Sequence, residues 1–106
     1  RLRRGDYSRD SLDQALRLAA EFPEMVNVRF LAGSLLLYHQ QAEPARAHLE
    51  WVATHDPRNA MALANLGQAY LSLGRLREAA DRFRAAQALD PANAVAAAGI
   101  RALGLK

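Results

Sequence analysis

The sequence predicts an all-α solenoid of antiparallel helix hairpins, and three observations carry that expectation. Apolar residues make up 51% of the chain but aromatics only 7%. The apolar content is therefore mainly Ala and Leu, which favour helix, while the strand formers Val, Ile and Thr are scarce. A joint recurs along the chain: THDPRNA (54–60) and ALDPANA (88–94) place Pro57 and Pro91 in the same slot, 34 residues apart. AEFPEMV (20–26) is a looser third copy around Pro23. Between the joints, apolar residues return at spacings of three and four, the period of one helical face.

The chain bounds its own possibilities. A length of 106 residues suits one domain with one continuous core, so 1–106 is read as a single unit. The absence of cysteine excludes disulfides and thiolate metal sites but assigns no compartment. No apolar run approaches the roughly 20 residues that span a membrane, so direct membrane insertion is not expected. The net charge of +3 comes almost wholly from Arg, with Lys106 the only lysine.

The elements follow in order. GDYSRDSLDQALRLAAEFP reads as a turn at Gly5-Asp6-Tyr7 and a helix within 6–22, stopped by Pro23. Residues 24–57 read as a hairpin with Gly33, Leu36, Ala45, Leu49 and Val52 facing inward. Pro44 falls in the first turn of its second helix, where a missing N–H costs little. Residues 58–91 form the most regular hairpin. Leu63, Leu66 and Tyr70 share one helical face and Ala79, Phe83 and Ala86 another, with the two helices separated at Gly74. Asn59 and Asn93 are N-cap residues, and Gly74 suits the left-handed position that ends a helix. Residues 92–106 supply one further helix, with Ile100 inward and Arg101 where the earlier hairpins carry glycine.

The hairpin at 58–91 resembles the tetratricopeptide repeat, whose pattern is W-x₂-L-G-x₂-Y, A-x₃-F and P over 34 residues. Leu63, Leu66, Gly67, Tyr70, Ala79, Phe83, Ala86 and Pro91 stand at that spacing, with Leu63 in the tryptophan slot. Residues 24–57 are in register but depart at Arg29, in the aromatic slot, and at Ala32, in the leucine slot. The resemblance implies a right-handed superhelix of about two full repeats. The flanks would be the second helix of a truncated repeat (6–22) and a terminal capping helix (92–106). It further implies a piece of a longer array, read as part of a bacterial scaffold or assembly protein, with bacterial cytoplasm and periplasm equally open.

Candidates for chemistry are few. His48 and His55 are two helical turns apart, about 10 Å, too far to share a metal. No nucleophile–base arrangement or phosphate-cradling loop is readable, so the sequence argues against an enzyme, and no cofactor or metal is expected. Arg77 with Asp81 and Glu78 with Arg82 are i,i+4 pairs of opposite charge, which describes a self-neutralised solvent face. RLRR is the only basic run, so nucleic acid is the weakest of the candidate partners. Trp51 has two readings: a ring lying flat between neighbouring helices, or an anchor for a contact on the convex face.

The resemblance implies a function of a different kind, protein–protein interaction through a concave groove lined by the first helix of each repeat. Its groove slots fall on Asn27, Phe30, Ser34, Leu37 and Tyr38, then on Met61, Ala64, Asn65, Gln68, Leu71 and Ser72. Val95, Ala98, Gly99 and Ala102 extend the row. One subclass clamps the carboxylate of chaperone tails with Lys, Asn and Arg. Here Asn65 matches, but Phe30, Ser34, Val95 and Gly99 replace the other clamp residues. The expected occupant is therefore an apolar or amphipathic peptide or helix. The alternative is a purely structural segment, or self-association through exposed terminal helices.

Overall fold

The computed structural model describes residues 7–105. They form six helices: α1 (Arg9–Glu21), α2 (Val26–Tyr38), α3 (Ala42–His55), α4 (Ala60–Ser72), α5 (Leu76–Leu89) and α6 (Ala94–Ala102). There is no strand among the described residues, and the architecture is all-α. RLRR and the first part of the Gly5-Asp6-Tyr7 turn lie outside the described residues.

The recurring joint is one backbone structure used three times. Phe22, Asp56 and Asp90 each precede a proline, and each sits at φ between −126° and −143° with ψ between 65° and 89°. Proline forces this, because its ring disfavours helical ψ in the residue before it. In each joint the N–H of that residue still donates to the carbonyl four residues back, at 2.7–2.9 Å. The chain then closes a turn through Met25 to Phe22, Asn59 to Asp56 and Asn93 to Asp90. Asn59 and Asn93 go on to cap the next helix, accepting from Ala62 N–H at 3.0 Å and Ala96 N–H at 2.9 Å. Met25 occupies the same slot without a side-chain cap. Local sterics thus impose the turn even where the polar side chains are missing.

The turns inside the hairpins repeat as well. Gly74 has φ 76°, and Arg75 N–H donates back to Tyr70 O at 2.9 Å. In the preceding hairpin Gln40 takes the same left-handed position at φ 65°, and Gln41 N–H donates to Leu36 O at 2.9 Å. A residue with a Cβ is strained there, whereas glycine is not. Gln40→Gly is expected to raise the unfolding free energy by about 0.5–1 kcal/mol, read from urea midpoints. A lower midpoint would mean that the Gln40 side chain makes compensating contacts. Gly104, at φ 74°, ends α6 in the same way, with Leu105 N–H on Ile100 O at 3.0 Å. Since α6 starts in register with α2 and α4 but spans 9 residues against their 13, this stop comes one turn early.

Packing sets the curvature. Helix α4 approaches both α2 and α6 directly, whereas α3 comes within 8 Å, Cα to Cα, of neither α1 nor α5 among the described residues. The first helices of the hairpins therefore form a crowded inner layer, and the second helices splay on the outside. One core runs through the stack, from Leu12 and Ala15 through Leu35, Leu36 and Leu49 to Leu66, Tyr70, Phe83 and Ile100. Phe83 is fully buried at the most crowded point. A Cβ built on Gly67 would lie 2.7 Å from its ring, and one on Gly99 would fall inside the ring's van der Waals envelope.

The outer face is charged, but its pairs differ from those expected. Glu78 binds Arg75 at 2.8 Å, Arg46 binds Glu43 at 2.6 Å, and Arg82 crosses to Glu50 at 3.3 Å. Arg82 thus leaves Glu78 for a carboxylate on α3, and Arg77 and Asp81 form no ion pair with each other. Arg82 on α5 and Glu50 on α3 face each other across the seam between the outer helices, so lateral attraction wins over pairing within one helix. These contacts are solvent-accessible and therefore screened, so they add little to stability.

Candidate functional site

The inner helices carry almost no charge and are apolar on more than one face, because each packs against its own hairpin partner and against the neighbouring inner helices. On α2 the residues facing α3 and the core, Ala32, Gly33, Leu35 and Leu36, are buried. Asn27 and Tyr38 are exposed on the remaining face, and Phe30, Ser34 and Leu37 are half-buried between them. On α4, Met61 and Ser72 are exposed, while Asn65, Gln68 and Leu71 are half-buried. Phe30, Leu37 and Leu71 also pack against the core, so their outer edges alone are available.

Two contacts tie these faces together laterally. Asn65 Nδ2 donates to Ser34 Oγ at 3.2 Å, which joins α4 to α2. Asn93 Nδ2 lies 4.0 Å from the Met61 sulfur, which joins the start of α6 to α4. On α6, Val95 is half-buried and Ala98 and Ala102 are exposed. Two slots assigned to the groove from sequence lie elsewhere. Ala64 is only 1% exposed, covered where the inner helices meet, and Gly99 is buried against Phe83 of α5.

One end of the row is closed by a contact that the sequence did not reveal. Tyr38 stacks on Tyr7 with ring centroids 4.8 Å apart and planes 23° apart, although the two are 31 positions apart in the chain. His39 Nε2 donates to Tyr7 O at 2.8 Å. Both rings stay more than half exposed, Tyr7 at 51% and Tyr38 at 59%.

A second cluster lies where Arg29 replaces the expected large apolar residue. Arg29 Nε donates to Pro23 O at 2.8 Å, and Nη1 donates to His48 Nδ1 at 3.3 Å. Its guanidinium sits 4.5 Å from the Trp51 ring centroid, a cation–π geometry. Trp51 also stacks on His55 at 3.9 Å, and His55 Nδ1 donates to Trp51 O at 2.8 Å. In the next hairpin the equivalent positions hold Leu63 and Ala85. The pair Arg29 and Trp51 thus fills with a charge and a large ring what Leu63 and Ala85 fill with aliphatic bulk. Trp51 lies half-buried under the arginine, closer to the first of its two readings than to a free anchor.

His48 is consequently half-buried beneath the arginine. Burial pushes its pKa below the ordinary 6.5, and the Arg29 charge adds to that shift. With Nδ1 accepting from Arg29, the proton of the neutral ring sits on Nε2. The unfolded chain binds a proton more readily than the folded one, so stability is complete above 6.5 and falls as pH drops through the lower folded value. The urea midpoint should fall between about pH 7.5 and about pH 5, by less in a His48→Gln variant, which keeps an acceptor but does not titrate. Equal losses in the two proteins would remove His48 as the cause.

Among the described residues, no group of three His, Asp or Glu side chains is placed to hold a metal ion, and no helix is long and apolar enough to cross a membrane. Comparison with known proteins adds a matching repeat and a shared fold. The sequence model of the tetratricopeptide repeat matches residues 60–93. The solved structure of the second TPR domain of the human RPAP3 protein, determined by NMR in complex with the HSP70 peptide SGPTIEEVD, superposes with a TM-score of 0.81. The two are 24% identical, and the match covers 96% of this chain and 84% of that one. Residues 60–93 thus match the tetratricopeptide repeat in sequence, and the six helices together share the fold of a TPR domain.

Proposed function

We propose that this protein is a non-catalytic interaction module that binds an apolar or amphipathic peptide or helix of a partner protein across α2, α4 and α6. The observation that carries this reading is the laterally tied inner face. Phe30, Tyr38, Met61 and Leu71 offer apolar edges there, while Asn65 and Gln68 offer hydrogen-bonding groups. A face of this composition suits helix-in-groove or extended docking. The neighbouring fold, in human RPAP3, binds a peptide, which supports a peptide or protein as the class of ligand. A role within a larger scaffold or assembly protein belongs to the same proposal.

The test is capture of partners by the intact protein and by a Phe30→Ala/Tyr38→Ala variant. Partner capture should fall at least tenfold in the variant, with the helical circular dichroism retained. Unchanged capture by the folded variant removes the groove as the binding face.

A second reading is favoured by a separate observation. Tyr7, Phe22, Met25 and Tyr38 are all at least 44% exposed and lie in the N-terminal half, a surface suited to self-association. Sedimentation across a hundredfold range of concentration decides it, since a monomer throughout would exclude a self-associating segment.

A further inference from the structure

We infer that the inner face selects an uncharged segment, apolar side chains with free amide or backbone groups, and rejects acidic tails. The inference rests on the groove being the binding face and adds the chemistry of the occupant. Its basis is where the charges lie. Of the residues in α2, α4 and α6, only Arg29 and Arg101 are charged. Arg29 is turned out of the groove, held by Pro23 O, His48 and the Trp51 ring. Arg101 occupies the position equivalent to Gly33 and Gly67, the face that meets the outer helix, and not the groove. The other charged residues described lie on α1, α3 or α5, in the joints, or at Arg75 in the turn before α5, and several are paired there.

A carboxylate brought onto this face would lose hydration and gain no counter-charge from the described residues, whose polar groups there are amides and hydroxyls. An uncharged segment has no such cost, and its contacts are not screened by salt. The bulk of the face also falls from one end to the other. Phe30 on α2 and Ala98 on α6 stand at equivalent positions of their repeats. The α6 end therefore has room above the exposed Ala98 for a bulky apolar side chain, and the α2 end has little.

The experiment is selection of phage-displayed dodecapeptides on the full chain, followed by titration of synthetic copies of the enriched sequences. The expected peptides lack Asp and Glu at their anchoring positions and carry a bulky apolar residue. Their affinities should change less than twofold between low and high salt, and drop at least tenfold with Phe30→Ala or with Ala98→Phe. The peptide SGPTIEEVD, taken from the neighbouring structure, should produce no saturable shifts of the α2 and α4 amides in an NMR titration. Acid-rich peptides that still depend on Phe30, or tight binding of SGPTIEEVD, would overturn the uncharged selectivity and leave the groove standing. Peptides insensitive to both substitutions would remove the groove itself.

Discussion

Truncating Phe83 to alanine is expected to lower the unfolding free energy by about 3–5 kcal/mol, the range for removing a fully buried aromatic ring. Phe83 is 0% exposed and lies between Gly67 of α4 and Gly99 of α6. Its ring is the wedge on which two inner helices rest, so its loss opens a cavity at the junction of three helices. The surrounding backbones cannot close that cavity by rotating side chains, because two of the walls are glycines with none to rotate. The effect should reach beyond one hairpin. In a solenoid each unit is stabilised by its neighbours, so loosening α4 from α6 frees the terminal helix first. Hydrogen exchange should show α6 amides losing protection ahead of α2 and α3. A drop of under about 1 kcal/mol in the urea-derived stability would contradict the wedge and imply that the site collapses.

The second large effect is Gly99→Ala, expected to cost about 1–3 kcal/mol by overpacking. A Cβ there would overlap the Phe83 ring, which is itself fully buried. The chain contains its own control. Leu49 stands where Phe83 stands in the next hairpin, and the position equivalent to Gly99 is Asn65, which carries a full side chain. The smaller leucine leaves room for a side chain on the following inner helix, whereas the phenyl ring requires glycine. Gly99→Ala should therefore be better tolerated in a Phe83→Leu background than in the wild type. The double-mutant cycle should give a favourable coupling of about 0.5–3 kcal/mol, as for residues in contact. Additive costs would show that Gly99 matters for backbone freedom and not for its contact with Phe83.

That pair marks a limit of sequence reading. By its slot in the repeat, Gly99 is expected in the groove. Its burial follows from the size of a side chain 16 positions earlier on another helix. The same register points Ala64 into the groove, yet it is buried where the inner helices meet. The outer charge pairs misled in a similar way. Spacing within α5 joined Glu78 to Arg82, but Arg82 reaches Glu50 instead. In each case the helix and its face follow from local spacing, and a neighbour in space chose the partner.

What the sequence determined alone was the set of features with local causes. The helical hairpins, the proline joints, the Asn59 and Asn93 caps and the left-handed stop at Gly74 depend on groups within about one helical turn, so residue type and spacing suffice to foresee them. Even the loose joint at Pro23 adopts the common backbone, because proline restricts its predecessor whatever that residue is. Only the tertiary structure decided the contacts made across the stack. Tyr7 lies on Tyr38, Arg29 is held over Trp51 beside a partly buried His48, and Gly99 yields to Phe83. These depend on how far each hairpin is turned relative to the next, which is set by side-chain volumes summed across three helices and leaves no periodic mark in the chain.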